Sequence, residues 1–312
     1  MPKIPRSIKL MTWLILFLLI CFVSWLVLPT SNQPEIKVLN TTSPNASDWL
    51  TIFNRASPLK YKLIHAGDIH IDRNNLLQNP PKTWIDRNKA LPVLSHWVSH
   101  PTYGELLFDA AFSRDFKNTT LGNYSRFMNF FAYSTGVRNN LENNLLSQIP
   151  KQGKNIKKIF VTHFHPDHTS GLDEFLLSIP VVADVKEYDF LARLLNGDLF
   201  DRRQHWQGID FSQGVAIPPF KRVVDIFGDS SVLAISTPGH TPGHTSYLIN
   251  SEEGTKLIVG DASHFSFGFD NNLAPAAIGD YNSQLAEDSL SQLRQFHQMY
   301  PQVQLILGHE LP

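Results

Sequence analysis

The stretch THFHPDHTSG, residues 162 to 171, constrains this chain more than any other. Four candidate metal ligands, His163, His165, Asp167 and His168, lie within six residues, directly after the apolar run IKKIFV. Imidazole and carboxylate are the groups that divalent zinc, iron, manganese and cobalt accept. Alternate side chains of an extended segment share a side, so His163 and His165 can meet at one point. Asp167 and His168, after the bend at Pro166, can aim at a second point nearby. Six residues cannot close two coordination spheres, so any fold of this chain has to bring further ligands from elsewhere. Candidates stand at the ends of other apolar runs: Asp261 after KLIVG, His309 after QLILG, and His244 just before TSYLI. A strand end is a rigid place from which to present a side chain to a loop edge, where α/β folds carry their sites.

Residues 237 to 244 read Thr-Pro-Gly-His twice and place His240 and His244 four apart. Pro238, Gly239, Pro242 and Gly243 forbid a helix, so this spacing does not put both rings on one helical face. Local chemistry barely separates the two. Position favours His244, which abuts a strand as the other candidates do.

Composition narrows the chemistry further. Cys21 is the only cysteine, so neither an intramolecular disulfide nor a thiolate zinc site can form. Lys and Arg number 27 against 28 Asp and Glu, and that balance gives no electrostatic reason to expect nucleic acid as a partner.

The run from Leu10 to Leu28 is almost wholly apolar and follows Lys3, Arg6 and Lys9. About 20 apolar residues cross a bilayer, so a transmembrane signal-anchor is expected over 10–28, behind a short basic cytoplasmic segment, 1–9. The positive-inside rule then puts the N-terminus in the cytoplasm and the catalytic domain outside it, as a single-pass membrane protein. A cleaved, secreted form is the alternative. Residues 29–58, rich in Pro, Ser, Thr and Asn, read as a linker to one domain over 59–312.

Within that domain, 61–71 and 90–100 read as strands, with 104–112 as the return strand of a hairpin. Residues 121–149 suggest two helices parted near Gly136, 173–179 a short helix, and PVVADVKEYDFLARLL a strand followed by a helix. Residues 197–220 read as a loop-like insertion. Five more strands follow, two of them joined by a hairpin turn at Ser251–Gly254. The helix before the last strand places Ala286, Leu290, Leu293, Phe296 and Tyr300 on one face. Hairpins early and late with helices among them suggest a layered α/β arrangement.

In order along the chain, HFHPDH, TPGHTPGHTSYL, GDAS and GHE resemble the metallo-β-lactamase fold hydrolases. They are most similar to the family's dinuclear lactonases, which open the ring of N-acyl homoserine lactones. The likeness covers roughly residues 61 to 310. It implies a four-layer αβ/βα sandwich with the metals at one edge between the sheets. It implies two divalent ions, zinc first, with iron, manganese or cobalt as alternatives. By the same likeness His163, His165 and His244 hold the first ion, Asp167, His168 and His309 hold the second, and Asp261 bridges them. His240 is left as a supporting loop residue. Asp109, in LLFDAA, matches a strand-end carboxylate of the family, although Ala110 and Ala111 stand where Thr-Gly is usual. There it would orient a ligand histidine. Where the lactonases carry a tyrosine shortly after the bridging aspartate, this chain has His264, whose imidazole can donate a hydrogen bond or shuttle a proton near neutrality.

The expectation is therefore a membrane-anchored dinuclear hydrolase that attacks an ester-like bond with a metal-bridging hydroxide, a lactone first among its small-molecule substrates. Asp167 would pass a proton to the leaving oxygen. FMNFFAY (127–133) and FSFGF (265–269) are candidates to receive an acyl chain, with core packing the competing use of those rings. A phosphodiesterase or thioester hydrolase of the same fold is the alternative, and a non-catalytic metal-binding membrane protein is the alternative of another class.

Overall fold

Many apolar runs in this chain are continuous rather than alternating, and such runs belong in strands covered on both faces. The computed structural model meets that condition with two mixed sheets. It describes residues 6–27, 34–82, 89–113, 138–140, 145–150, 155–188, 200, 205–276 and 282–312. The first sheet takes β1 (Ile36–Val38), β2 (Lys60–His70), β3 (Leu91–His100), β4 (Gly104–Phe108), β5 (Arg138–Asn140), β6 (Ile156–Phe160), β7 (Val181–Asp184) and β8 (Trp206–Ile209). Their order is β1-β8-β7-β6-β4-β3-β2-β5. The second takes β9 (Val215–Ile217), β10 (Phe220–Asp225), β11 (Val232–Ser236), β12 (Thr245–Ile249), β13 (Lys256–Gly260) and β14 (Gln304–Leu307), in the order β14-β13-β12-β11-β10-β9.

The two-residue period of a strand sorts the side chains into layers. Leu106 and Phe108 of β4, Phe160 of β6, Val232 and Ala234 of β11 and Tyr247 of β12 share one buried cluster between the sheets. Leu107, Ile159 and Val181 turn the other way, into a cluster behind the first sheet. Leu233, Ile235 and Leu248 do the same behind the second sheet. That outer face is covered by a helix, Ser283–Met299, through Ala286, Leu290, Leu293 and Phe296. The Asn282 side chain caps it by accepting from Gln284 and Leu285 N–H. Much of the layer expected behind the first sheet falls at 114–137 and 189–199, outside the described residues.

In chain order the helices with described backbone are α1 (Arg6–Val27), α2 (Trp49–Phe53), α3 (Leu145–Gln148), α4 (Pro166–Thr169), α5 (Ser266–Asp270) and α6 (Ser283–Met299). The large apolar side chains of α1 from Trp13 to Ile20, with Phe22 and Val23, are all exposed. Among the described residues no helix is long and apolar enough to cross a membrane.

Several elements differ from what the sequence suggests. Residues 29–58, expected as a tether, contain β1, which pairs in parallel with β8, and α2, whose Trp49 and Ile52 are fully buried. Trp49 donates from its indole nitrogen to Pro218 O at 2.9 Å and packs edge-on against Phe220 and Phe296. The Pro and Asn content of this segment shapes short elements here instead of a free chain. The insertion expected at 197–220 supplies two strands, β8 and β9, each too short to show a period. Residues 173–179 hold no α-helix: the chain makes a 3₁₀ turn over Ser170–Glu174, because so short a run cannot sustain a helix alone. Of the two helices expected over 121–149, α3 is described, while 138–140 form edge strand β5 against β2. The aromatic stretch 127–133 lies outside the described residues.

β4 pairs in parallel with β6, and β13 with β14, and the candidate ligands follow the carboxyl ends of these strands. Open α/β sheets collect their ligand sites at such ends.

Candidate metal centre

β6 ends at Phe160, and the chain then runs extended through His163 and His165 before α4 begins at Pro166. Proline suits the first helical position, where its missing N–H forfeits nothing. α4 carries Asp167 and His168 back over the same edge. From the second sheet come Asp261 after β13, His309 after β14, and the loop between β11 and β12.

These side chains gather into two buried groups with one carboxylate in common. His163, His165, His240 and Asp261 each place a ligand atom within 4.8 Å of the others, and so do Asp167, His168, Asp261 and His309. In the first group His165 Nδ1 lies 2.9 Å from His163 Nε2 and 2.8 Å from His240 Nε2. Asp261 Oδ2 is 3.7 Å from His163 Nε2 and 3.3 Å from His240 Nε2. In the second, His168 Nε2 stands 3.4 Å from Asp261 Oδ1 and 3.6 Å from Asp167 Oδ2. His309 Nε2 is 3.3 Å from Asp167 Oδ2 and 3.4 Å from Asp261 Oδ2.

The doubled Thr-Pro-Gly-His brings both of its histidines beside His163, with ring centroids 4.8 Å away for His240 and 5.3 Å for His244. Gly239, at φ +140°, donates from its N–H to Thr241 O, and the loop so folded points His240 into the first group. His244 sits outside both groups. It leads directly into β12, and one nitrogen of its ring is anchored: Nδ1 lies 2.9 Å from Thr237 Oγ1, which lies 2.9 Å from Ser246 Oγ, which donates to Val259 O at 2.8 Å. His244 Nε2, like His168 Nε2, is buried without a hydrogen-bond partner, so both histidines of the pair stand as candidates for the first group.

Charge and burial favour a cation here. Burial lowers His163 and His240 well below the ordinary imidazole value, His165 to about 4 and His244 to about 3, so these rings are neutral at neutral pH, the form in which imidazole can bind a cation. Burial pushes His168 down as well, but the carboxylates of Asp261, Asp109 and Asp167 outweigh it and hold His168 well above its usual value. His309 is raised to about 10 in the same way, chiefly by Asp261. Burial would raise Asp167 and Asp261, yet the neighbouring histidines bring Asp167 down to about 2 and Asp261 well below the carboxylate range. The buried carboxylates thus demand positive charge. His168 Nε2 and Asp261 Oδ1, 3.4 Å apart, are both buried without a hydrogen-bond partner. A divalent ion answers both conditions, and the donor set suits zinc, iron, manganese or cobalt.

Outer contacts aim the ligands. Asp109 Oδ2 accepts from His168 Nδ1 at 2.8 Å, and Asp109 Oδ1 accepts from Thr162 N–H at 2.7 Å. This frees His168 Nε2 to face the second group. Asp109 and Ala111 both lie in the left-handed backbone region, at φ +57° and +52°. The turn they make is clamped to α4 and the turn after it: Ala110 N–H donates to His168 O, and Gly171 N–H to Ala111 O. A Cβ on Gly171 would stand 1.9 Å from Ala110 O, so only glycine fits there. His309 Nδ1 lies 2.9 Å from Pro92 O, which fixes that ring with Nε2 inward.

His264 is buried beside the two groups, with Nε2 3.4 Å from Asp261 Oδ2 and its ring stacked on His309. Its Nδ1 is buried without a partner. The neighbouring aromatic run packs inward: Phe265 joins Leu76, Leu77 and Leu91, with the Arg73 guanidinium 5.0 Å from its ring centroid, and Phe269 lies behind the second sheet. Sequence reasoning passed over Glu187, Thr162 and Thr237. Glu187 follows β7 at the edge that carries the ligands, a position that could have singled it out.

A family model described as the metallo-beta-lactamase superfamily matches residues 90–309. An N-acyl homoserine lactonase from a Bacillus species is 28% identical over 157 residues, 49% of this chain and 55% of that protein. The N-acyl homoserine lactonase AttM of Agrobacterium fabrum is 27% identical over 111 residues, covering 33% of this chain and 40% of AttM. The chain thus spans about half or less of the length of these curated relatives. Among solved structures, an N-acyl homoserine lactone hydrolase with N-hexanoyl-L-homoserine bound at its catalytic metal centre superposes with a TM-score of 0.60. The match has 20% identity over 82% of this chain and 94% of that one. AidC, a dizinc quorum-quenching lactonase, superposes with a TM-score of 0.53 at 14% identity, over 81% of this chain and 88% of AidC.

Proposed function

The chain belongs to the metallo-β-lactamase superfamily, and from that membership we propose that it is a dinuclear metal-dependent hydrolase of an ester-like bond, with an N-acyl homoserine lactone as its first substrate class. One observation carries the reading: the Asp261 carboxylate is shared by two buried His/Asp groups at the carboxyl-end edge of both sheets. The lactone is favoured because the relatives in sequence include N-acyl homoserine lactonases.

In this proposal His163 and His165, with a histidine of the doubled Thr-Pro-Gly-His, would hold the first ion, Asp167, His168 and His309 would hold the second, and Asp261 belongs to both groups. Two bound divalent ions supply Lewis acidity toward a carbonyl and an acidified water as nucleophile, with zinc the first candidate. The residues around them orient and move protons. Asp167 is the more exposed of the two carboxylates in these groups, and, ionised at neutral pH, it is placed to take a proton from the attacking water and pass it to the leaving alkoxide as the ring opens. His264, with one nitrogen toward Asp261 and the other unpartnered, is placed to donate a hydrogen bond to a substrate oxygen. No serine or cysteine nucleophile is needed.

The proposal also places the catalytic domain outside the cytoplasm, with residues 10–28 as its membrane attachment. Its support is the basic-then-apolar sequence pattern and the exposed apolar side chains of α1. Fractionation reads this directly. Recovery of the full chain in the membrane pellet supports the attachment, whereas recovery in the soluble fraction contradicts it.

The activity is tested on the full chain in detergent by metal analysis beside a panel of lactone, phosphodiester and thioester substrates. Two ions per chain and lactone turnover that vanishes in His163→Ala are expected. Fewer than two ions, or turnover indifferent to His163, sinks the proposal. Preference for the phosphodiester or thioester replaces the substrate class, and two ions without turnover on any substrate indicates a metal-binding protein without catalysis.

A further inference from the structure

Glu187 ends the 3₁₀ turn Val185–Glu187 that follows β7, is 2% exposed, and belongs to neither group of candidate ligands. Its carboxylate is turned to the backbone of two loops. Oε2 accepts from Phe164 N–H at 3.0 Å, and Oε1 accepts from Gly243 N–H at 2.7 Å. Phe164 lies between His163 and His165, and Gly243 lies between His240 and His244. The first loop leaves the first sheet, and the second joins two strands of the second sheet.

We propose that Glu187 is a positioning residue that fastens these two loops to each other, so that His163 and His165 from one sheet meet the histidine that the doubled Thr-Pro-Gly-His presents from the other. The packing at the contact agrees. A Cβ on Gly243 would stand 2.8 Å from Asp184 Cβ and 2.9 Å from Glu187 N, so the His240 loop lies directly on the turn that carries Glu187. Three imidazoles from two sheets converge only if the sheets are held in register at that edge, and Glu187 bonds to both loops there. Burial pushes its carboxyl up to about 7, a cost that a buried side chain without such partners would not repay. Glu187 contacts main chain next to the ligands, so it governs where they stand while leaving the ligand set unchanged.

This inference rests on the metal reading above, and the experiment separates the two. Glu187→Gln keeps the size but turns an amide N–H toward one of the two backbone donors. Glu187→Met removes both acceptors and the buried carboxyl together. Each full-length variant, with circular dichroism to confirm its fold, is titrated with Zn²⁺ against a chelator. The visible spectrum of the Co²⁺-substituted form is recorded as a second readout. One of the two ions is expected to bind about tenfold or more weakly in both variants, with an altered Co²⁺ spectrum, while the other binds as in the parent chain. If Glu187→Gln fails to fold, Glu187→Met decides alone. Folded variants that bind both ions with parental affinity and spectrum overturn this proposal and leave the metal reading standing. A parent chain that takes up no ion overturns both.

Discussion

Removing the imidazole of His240 takes away a nitrogen that lies 2.8 Å from His165 Nδ1 and 3.3 Å from Asp261, and removing that of His244 takes away an Nε2 buried without a partner on a ring held through Nδ1 by Thr237. At least one of His240→Ala and His244→Ala is therefore expected to lose about one ion per chain and nearly all turnover. Metal analysis of the two purified variants shows which, and two variants that both keep both ions would contradict the first group. Ala111 permits a second test at this scale. An L-residue in the left-handed region costs about 1–2 kcal/mol, part of which glycine returns through the greater freedom of its unfolded chain. Ala111→Gly relieves that strain but also removes a fully buried methyl worth about 0.8 kcal/mol, so denaturant melts should stay within about 1 kcal/mol of the parent chain, and a larger loss would show that the turn is unstrained. The residues His163, His165, Asp167, His168, Asp261 and His309, which the structure gathers into two groups, were legible in the sequence as candidates, because each follows an apolar strand. The direction of the His240 ring was not, since a Pro-Gly loop has no period from which a side-chain direction can be read.

Among the elements, the N-terminal pieces β1 and α2 carry more than a tether would. Trp49 is fully buried, hydrogen-bonded to Pro218 O and wedged among Phe53, Phe220 and Phe296. Truncating such a ring typically costs about 3–5 kcal/mol. Trp49→Ala should lower the urea midpoint accordingly with an unchanged slope. A cost below about 1 kcal/mol would return residues 29–58 to the role of a linker. The long amphipathic α6 was readable from its 3.6-residue period, and the central strands from their apolar runs. β1, β8 and β9, of three or four residues each, were hidden because pairing with distant partners, more than local pattern, makes them strands.

For the whole molecule, pH tests how the buried histidines are held. Burial keeps His96 and His165 at about 4 and His244 at about 3 in the folded chain, while an unfolded histidine takes its proton near 6.5. Between about pH 6.5 and 4 the unfolded state then binds more protons than the folded one. Stability of the metal-free protein falls as pH falls through that window, by up to about 1.4 kcal/mol per pH unit for each such ring. His168 and His309 act in the opposite sense: their raised values contribute stability below about 6.5 that is lost as pH rises, for His309 through about 10. Thermal melts of metal-stripped protein at about pH 7, 6 and 5 should show Tm decreasing, and a Tm that holds steady or rises toward pH 5 would contradict this assignment.

Apolar runs and the residues that end them determined, without any coordinates, that this chain builds an α/β scaffold with His and Asp ligands along one edge. Those features are local, being set by strand period and by the chemistry of residue types. Where the doubled Thr-Pro-Gly-His places its two rings, how Asp109 meets His168, and how Glu187 joins two loops were decided only in the tertiary structure. Each depends on contacts between segments 20 to 80 residues apart in sequence, roughly, and side-chain direction in a loop is fixed by what packs against it.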